Sequence, residues 1–359
     1  MVQMAGDAHV ANFGLFATPE RDQVFDVNDF DETVPGPWEW DLKRLCTSLY
    51  VSGAANGFPP RPCRAAVRIA AAAYRGRMAD FAKMRYLDTW YSHLDLAAAS
   101  DTIGPRGIEL LRFAFPRARR RTGFHAFPHW VRRGKRALRI RDDSPLIHHR
   151  TPAPERAMVR EAFRVYRGTL APERRTLLDR YDLVDVAEKV VGVGSVGTRC
   201  AVGLFVADPD VPEPLFLQVK EASDSVYAPY LGGRRFANHA ERVVVGQRLV
   251  QEASDIFLGW ARSAGHDFYI RQLRDMKLSF DLASLGPRQF RGQAELCGAA
   301  LARAHARTGD PAAIAGYLGE GTGFDEALLA FAESYAVQTR KDYAELRRAI
   351  ARGRLPAEV

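Results

Sequence analysis

The chain has 359 residues, 47% hydrophobic and 26% charged, with a net charge of +8. That length favours two lobes over one small domain, and the composition is that of a globular protein rather than a disordered or fibrous one. No apolar run reaches the roughly 18 residues of a membrane span and no basic-then-apolar leader opens the chain, so a cytoplasmic protein without a membrane partner is expected.

The four cysteines, Cys46, Cys63, Cys200 and Cys297, are widely spaced and form no CxxC pair. That spacing speaks against a zinc ribbon and against a disulfide framework. Each is expected as a small core residue.

The opening stretch MAGDAHVANFG, Met4 to Gly14, packs Asp7, His9 and Asn12 between glycines. Such a loop can hold a metal, place a base or turn the chain. The residues before it, VQMA, should lead in as a strand, yet nothing precedes them to pack on them. On that ground Met1 is a doubtful start. In RDQVFDVNDFDE, Arg21 to Glu32, the β-formers Val24, Phe25 and Val27 predict a strand followed by acids. Pro35-Gly36-Pro37 then turns the chain into a helix near Trp40. Residues 59 to 100 carry apolar spacings of three and four and read as helices. Residues 101 to 150 are mixed and basic, with a run from Arg117 to Arg141. Such a run attracts nucleic acid or an anionic substrate, or forms a solvated helical face. No aromatic-basic recognition module accompanies it, so nucleic acid is not the expected partner. Ala153 to Leu170 reads as a helix with an acidic first turn.

Near Tyr181 the text becomes β-rich. GVGSVG places Gly192, Gly194 and Gly197 at a spacing shared by dinucleotide-binding turns and kinase phosphate loops. A dinucleotide turn opens a helix. Here TRCAVGLFV follows, which is β-type, and a glycine loop between two strands is the kinase arrangement. After a Pro/Asp-rich turn at 208–214, the strand LFLQVK ends at Lys220, one of only seven lysines. A lysine there would neutralise nucleotide phosphates; the plain alternative is a strand-end lysine beside a turn. Asn238 to Asp255 reads as a helix whose Glu241 is the candidate partner of that lysine, with Gln247, Gln251 and Glu252 close by in sequence. HDFYIRQLRDMK holds another strand, and helices resume from Pro287. The organisation is therefore a first helical part at 1–180, a β-rich nucleotide-binding lobe at 181–278 and a second helical part at 279–359, with no repeat or low-complexity linker.

A phosphoryl transferase also needs a carboxylate at the acceptor hydroxyl and oxygen ligands for Mg²⁺. Asp7 and Asn12 have the spacing of a D-x-x-x-x-N loop, in which Asp takes the hydroxyl proton and Asn holds metal. Asp29 ends a predicted strand, as a DFG-type metal aspartate does, although Asp31 stands where that motif has glycine. Two residues apart on a strand, Asp29 and Asp31 would share one face, which makes Asp31 a further metal candidate.

The combination GDAHVAN … NDFDETVPGPWEWDLKRL resembles the catalytic core of the aminoglycoside phosphotransferase and choline kinase-like families. The resemblance implies a catalytic role for Asp7, loop-bracing roles for His9 and Asp41, metal ligation by Asn12 and Asp29, and ATP and Mg²⁺ as cofactors. Leu301 to Arg307 resembles the helix that normally runs just before that loop. Over nearly its full length the chain resembles a bacterial family of unknown function bearing these motifs. The order differs from that of a kinase, because the Asp7 loop stands ahead of the glycine loop instead of after it. Cutting near Ala306 and rejoining before Asp7 restores the usual order, and permutation is tolerated where termini are surface neighbours. The expected fold is thus α+β: a two-lobed, circularly permuted protein kinase-like fold with a small antiparallel β-rich lobe and a larger helical lobe.

The expected function is ATP- and Mg²⁺-dependent phosphoryl transfer to a small-molecule hydroxyl acceptor. It requires Lys220 close to Asp29. Residues 55 to 180 are expected to shape the acceptor side, and their arginines would suit an anionic acceptor. Alternatives are a nucleotidyl transferase, a non-catalytic nucleotide binder, and a metallophosphoesterase built on Asp7-Ala8-His9. The last lacks the G-N-H and G-H-x-H motifs of its class; AGHDF at 264–268 is a partial echo.

Overall fold

Strand β1 (Val2–Met4) is buried at the start of the chain and pairs antiparallel with β4 (Val34–Gly36), so the lead-in to the polar loop finds its partner downstream. These residues therefore pack against later parts of the chain. Between the two lie β2 (Phe13–Ala17) and β3 (Gln23–Val27), which pair with each other as a hairpin. The computed structural model describes residues 1–94, 104–134, 138–149, 152–190, 197–208, 213–232, 236–273 and 275–355.

Helix α1 (Trp38–Ala55) starts where Pro37 ends the turn, with Glu39 and Asp41 in its first turn. Carboxylates are favoured there by the exposed N–H groups. Then come α2 (Pro60–Phe81), α3 (Tyr86–Trp90), α4 (Pro105–Arg119) and α5 (Gly123–Trp130). The short strands β5 (Val131–Arg133), β6 (Leu138–Ile140) and β7 (Ile147–His148) follow, with β5 paired to β6. The basic run therefore does not form one helical face. It is spread over the last turn of α4, all of α5 and the β5–β6 ribbon, because Pro128 and the β-branched Val131 favour leaving the helix.

Helices α6 (Ala153–Tyr166) and α7 (Pro172–Leu178) lead into β8 (Asp182–Lys189), β9 (Cys200–Val206) and β10 (Pro214–Ala222). Helix α8 (His239–Val250) is capped by Asn238, whose side chain accepts the Ala240 and Glu241 N–H groups. β11 (Gly259–Ser263) and β12 (His266–Gln272) complete an antiparallel six-stranded sheet in the order β11-β12-β10-β9-β8-β7. Its hydrophobic faces read as β-formers in the sequence, and α6 packs Val159, Phe163 and Tyr166 against one of them. Strand β13 (Leu278–Ser279) then leaves this sheet and pairs with β2, tying the β-rich part to the loop-bearing part.

The chain ends with α9 (Pro287–Thr308), α10 (Pro311–Leu318) and α11 (Gly323–Ala351). α9 is the buried axis of the helical part, with Phe290, Leu296, Leu301 and Ala304 all inaccessible. Its Gly298 lies so close to α2 that a Cβ there would stand 2.2 Å from the Ala70 carbonyl oxygen. The four cysteines are buried and unbonded. Among the described residues no helix is long and apolar enough to cross a membrane. The molecule is a mixed α+β protein with small antiparallel sheets.

Candidate functional site

The loop after β1 is fixed from beneath by one carboxylate. Asp41, at the start of α1, accepts the N–H groups of Ala5 at 2.7 Å and Gly6 at 2.9 Å. Gly6 needs to be glycine, since its φ is +86° and a Cβ would meet the Glu32 carbonyl oxygen at 2.3 Å. His305 of α9 approaches the same carboxylate through Nε2 at 3.1 Å, and Tyr74 of α2 closes the chain at its Nδ1 at 2.9 Å. Burial, then Asp41, pushes the Tyr74 hydroxyl well above its ordinary value, so it stays protonated. Asp41 thus sits where the expected loop brace should sit. The His305 relay was not foreseen, although His305 lies in the LARAHAR stretch.

On the open side of the loop Asp7 is held by Arg44, whose Nε donates to Oδ1 at 2.8 Å and whose Nη2 forms an ion pair with the same oxygen at 2.7 Å. Its Oδ2 is 3.5 Å from His9 Nε2. Burial, then Arg44, holds the His9 imidazole below its usual value against the pull of Asp7 and Asp29. The Asn12 amide nitrogen donates to the Asp7 carbonyl at 2.8 Å. That orientation leaves the Asn12 amide oxygen as its metal-compatible atom.

Lys220 lies inside β10, two residues short of its end, with Cys200 of β9 and Tyr269 of β12 directly beside it in register. Cross-strand neighbours share a face, so Lys220 and Tyr269 reach the same target. Lys220 Nζ forms an ion pair with Asp31 and stands 3.7 Å from Asp29 Oδ2, while the Tyr269 hydroxyl donates to the other Asp31 oxygen at 2.6 Å. Burial pushes the Asp29 carboxyl up, but Lys220, Arg271, the Phe30 N–H and Lys277 outweigh it and hold it below the usual carboxylate range. Residues nearly 190 positions apart, 29–31 and 220, are thus one charged cluster.

Glu241 does not reach that cluster. Its backbone N–H is tied to the Asn238 cap, and no ion pair joins it to Lys220 among the described residues. The physical reason is the register of α8, which turns the next residue inward. Arg242 donates to the carbonyls of Thr33 at 2.5 Å, Asp31 at 2.7 Å and Ser223 at 2.9 Å. Asp31 takes the position expected for the glutamate. Arg242 carried no sequence signal, because a buried arginine serving backbone carbonyls looks like any helical arginine.

Gly192 and Gly194 lie outside the described residues. Gly197 has φ +87°, which glycine adopts without strain, and it stands between β8 and β9, which pair with each other. Among the described residues no group of three or more His, Cys, Asp or Glu is placed to hold a metal. The oxygen donors on hand are the carboxylates of Asp29 and Asp31 and the amide of Asn12. That set suits Mg²⁺, which binds through one or two carboxylates and keeps waters or substrate phosphates for the rest of its shell.

Beside Asp7 and His9 opens a groove of about 840 Å³. Its floor is a stripe of α1, Trp40, Lys43, Arg44, Thr47, Ser48 and Val51, at helical spacing. Phe331, Tyr335 and Thr339 of α11, together with Val226 and Tyr227, form the walls. None of the described residues between 55 and 180 lines this groove.

The sequence model of a bacterial family, described as "Uncharacterized protein conserved in bacteria (DUF2252)", matches residues 1–349. No curated protein and no solved structure matches the chain. With the match running over almost its whole length, from β1 into α11, the chain belongs to this bacterial family.

Proposed function

We propose that the protein is a cytoplasmic ATP- and Mg²⁺-dependent phosphotransferase acting on a small hydroxyl compound, with a kinase-like site assembled in circularly permuted order. The observation that carries this reading is the meeting of Lys220 with Asp29 and Asp31, beside a polar loop that presents Asp7 and Asn12. A mere strand-end lysine has no reason to be buried against two carboxylates from the opposite end of the chain.

In this reading Gly192, Gly194 and Gly197 let backbone N–H groups approach the phosphates, and Lys220 exchanges its carboxylate partners for phosphate oxygens. Asn12 and Asp29 would hold Mg²⁺, with Asp31 beside them; the ion supplies charge neutralisation on the phosphates. The acceptor oxygen forms a bond to the γ-phosphorus as the bond from that phosphorus to the β–γ bridging oxygen breaks. ADP departs with the electron pair. The hydroxyl proton passes to Asp7. Oδ2 is the receiving atom, because Arg44 occupies Oδ1. Catalysis of this kind rests on positioning and charge neutralisation.

Thermal unfolding with and without Mg·ATP tests the proposal on the parent and on the Asp29→Ala and Lys220→Ala variants. Ligand at about 100 times its dissociation constant adds roughly 2.7 kcal/mol of stability. A Mg²⁺-dependent upward shift in the parent, lost in both variants, is the expected outcome. No shift in a cooperatively folded parent would sink the nucleotide reading.

A further inference from the structure

We infer that the acceptor of this site is an anion: a small hydroxyl compound with a ring or apolar face and a carboxylate or phosphate that Lys43 receives. The inference rests on the phosphotransferase reading of Asp7 and adds the acceptor's chemical class.

Of the four charged side chains that line the groove, Asp7, Glu32, Lys43 and Arg44, only Lys43 lacks a close polar partner among the described residues. Asp7 is paired with Arg44. Glu32 accepts the Val226 N–H at 2.7 Å and acts on the buried Arg242 as its strongest nearby anion. Lys43 is half-buried on the groove floor and, among the described residues, makes no ion pair or hydrogen bond. Its Nζ stands 5.3 Å from the centroid of the Phe331 ring. A ring face offsets only part of the cost of withdrawing an ammonium from water. An anion brought by the acceptor completes the compensation.

Two further features give that anion its orientation. Both Arg44 contacts fall on Asp7 Oδ1, so the acceptor hydroxyl is directed to Oδ2. One turn beyond Lys43, the Thr47 hydroxyl is buried with no hydrogen-bond partner among the described residues, a spare donor on the same face of α1. The body of the acceptor meets rings: Trp40 lies against Tyr227 at 5.5 Å between centroids, and Phe331 stacks on Tyr335 at 5.6 Å. A cationic acceptor is disfavoured here, because both groove carboxylates already have close partners while the Lys43 ammonium has none among the described residues.

Three probes with one ring and three charges test this: 4-hydroxyphenylacetate, the neutral 4-hydroxyphenylethanol, and tyramine. Saturation-transfer titrations would be run on the full chain, its Lys43→Met variant and its Lys43→Arg variant. The anion is expected to bind about five- to tenfold more tightly than tyramine, a spread in keeping with one half-exposed charge pair. Lys43→Met should abolish that preference and Lys43→Arg should keep it. Preference for tyramine, equal binding of all three, absence of saturable binding by the anion, or an unchanged preference in Lys43→Met would overturn the inference. A Mg·ATP shift measured on the same samples separates the two claims. A nucleotide shift with a cation-preferring groove defeats only the acceptor class. An anion-preferring groove in a protein blind to Mg·ATP defeats the phosphotransferase reading and leaves an anion-binding groove.

Discussion

Asp41 shows how much of the site hangs on a single side chain. Its two oxygens receive two loop N–H groups and the His305 ring, all out of contact with water. Replacing it with alanine strands those donors. Breaking a buried charged network of this kind costs about 3–5 kcal/mol. Asp41→Ala should therefore lose that much in denaturant unfolding, while Asp41→Asn, which keeps one accepting oxygen, should lose less. Equal losses in the two variants would show that stability rests on the charge and second accepting oxygen of the carboxylate, not on its volume or on a single acceptor. The same residue marks a boundary of what a sequence discloses. A D-L-K-R helix aspartate suggested a brace for the loop, but its second partner lies 264 positions away in α9. No spacing rule links Asp41 to His305. The buried pair of Asp26 with Arg303 escaped notice for the same reason.

Among the elements, α2 and α9 set the tightest demand. At Gly298 there is no room for a side chain, since the Ala70 carbonyl of α2 fills the space. Gly76, also on α2, faces open space. Gly298→Ala should destabilise by about 1–3 kcal/mol through overpacking, whereas Gly76→Ala should stabilise by roughly 0.5–1 kcal/mol through helix propensity. Thermal melts of the two variants, read side by side, check the sign of each. Elements with strong periodicity or clear stops were legible beforehand: the helix after Pro35-Gly36-Pro37, the strands around Lys220 and the helices beyond Pro287. The β5–β6 ribbon was not, because arginines mask the alternation that identifies a strand. Nor could the rotation of α8 be read, and one helical step decides whether Glu241 or Arg242 turns inward.

For the whole molecule, the first strand is a structural keystone although it is only three residues long. Val2 and Met4 are buried, Gln3 N–H donates to the Thr308 hydroxyl at 3.0 Å, and the Gln3 amide donates to Thr33 at 2.9 Å. Burying two such apolar side chains contributes about 3–6 kcal/mol, a large part of the roughly 5–15 kcal/mol that holds a typical domain together. A chain lacking residues 1–4 should melt about 6–24 °C lower or fail to fold cooperatively, on a scale of about 2–4 °C per kcal/mol for larger domains. An unchanged melting curve would show that β4 and α9 do not depend on it. The arrangement also sets an order of events in the cell. Gly6, Asp7 and Asn12 leave the ribosome early, Lys220 much later, and His305 and Thr308 near the end. Asp41 follows the loop closely, but His305, which supports that carboxylate, and Thr308, which receives the Gln3 N–H, arrive only with α9. A half-made chain therefore carries the polar loop without the helix that supports its brace, and the loop gains its last contacts only when most of the chain has been made.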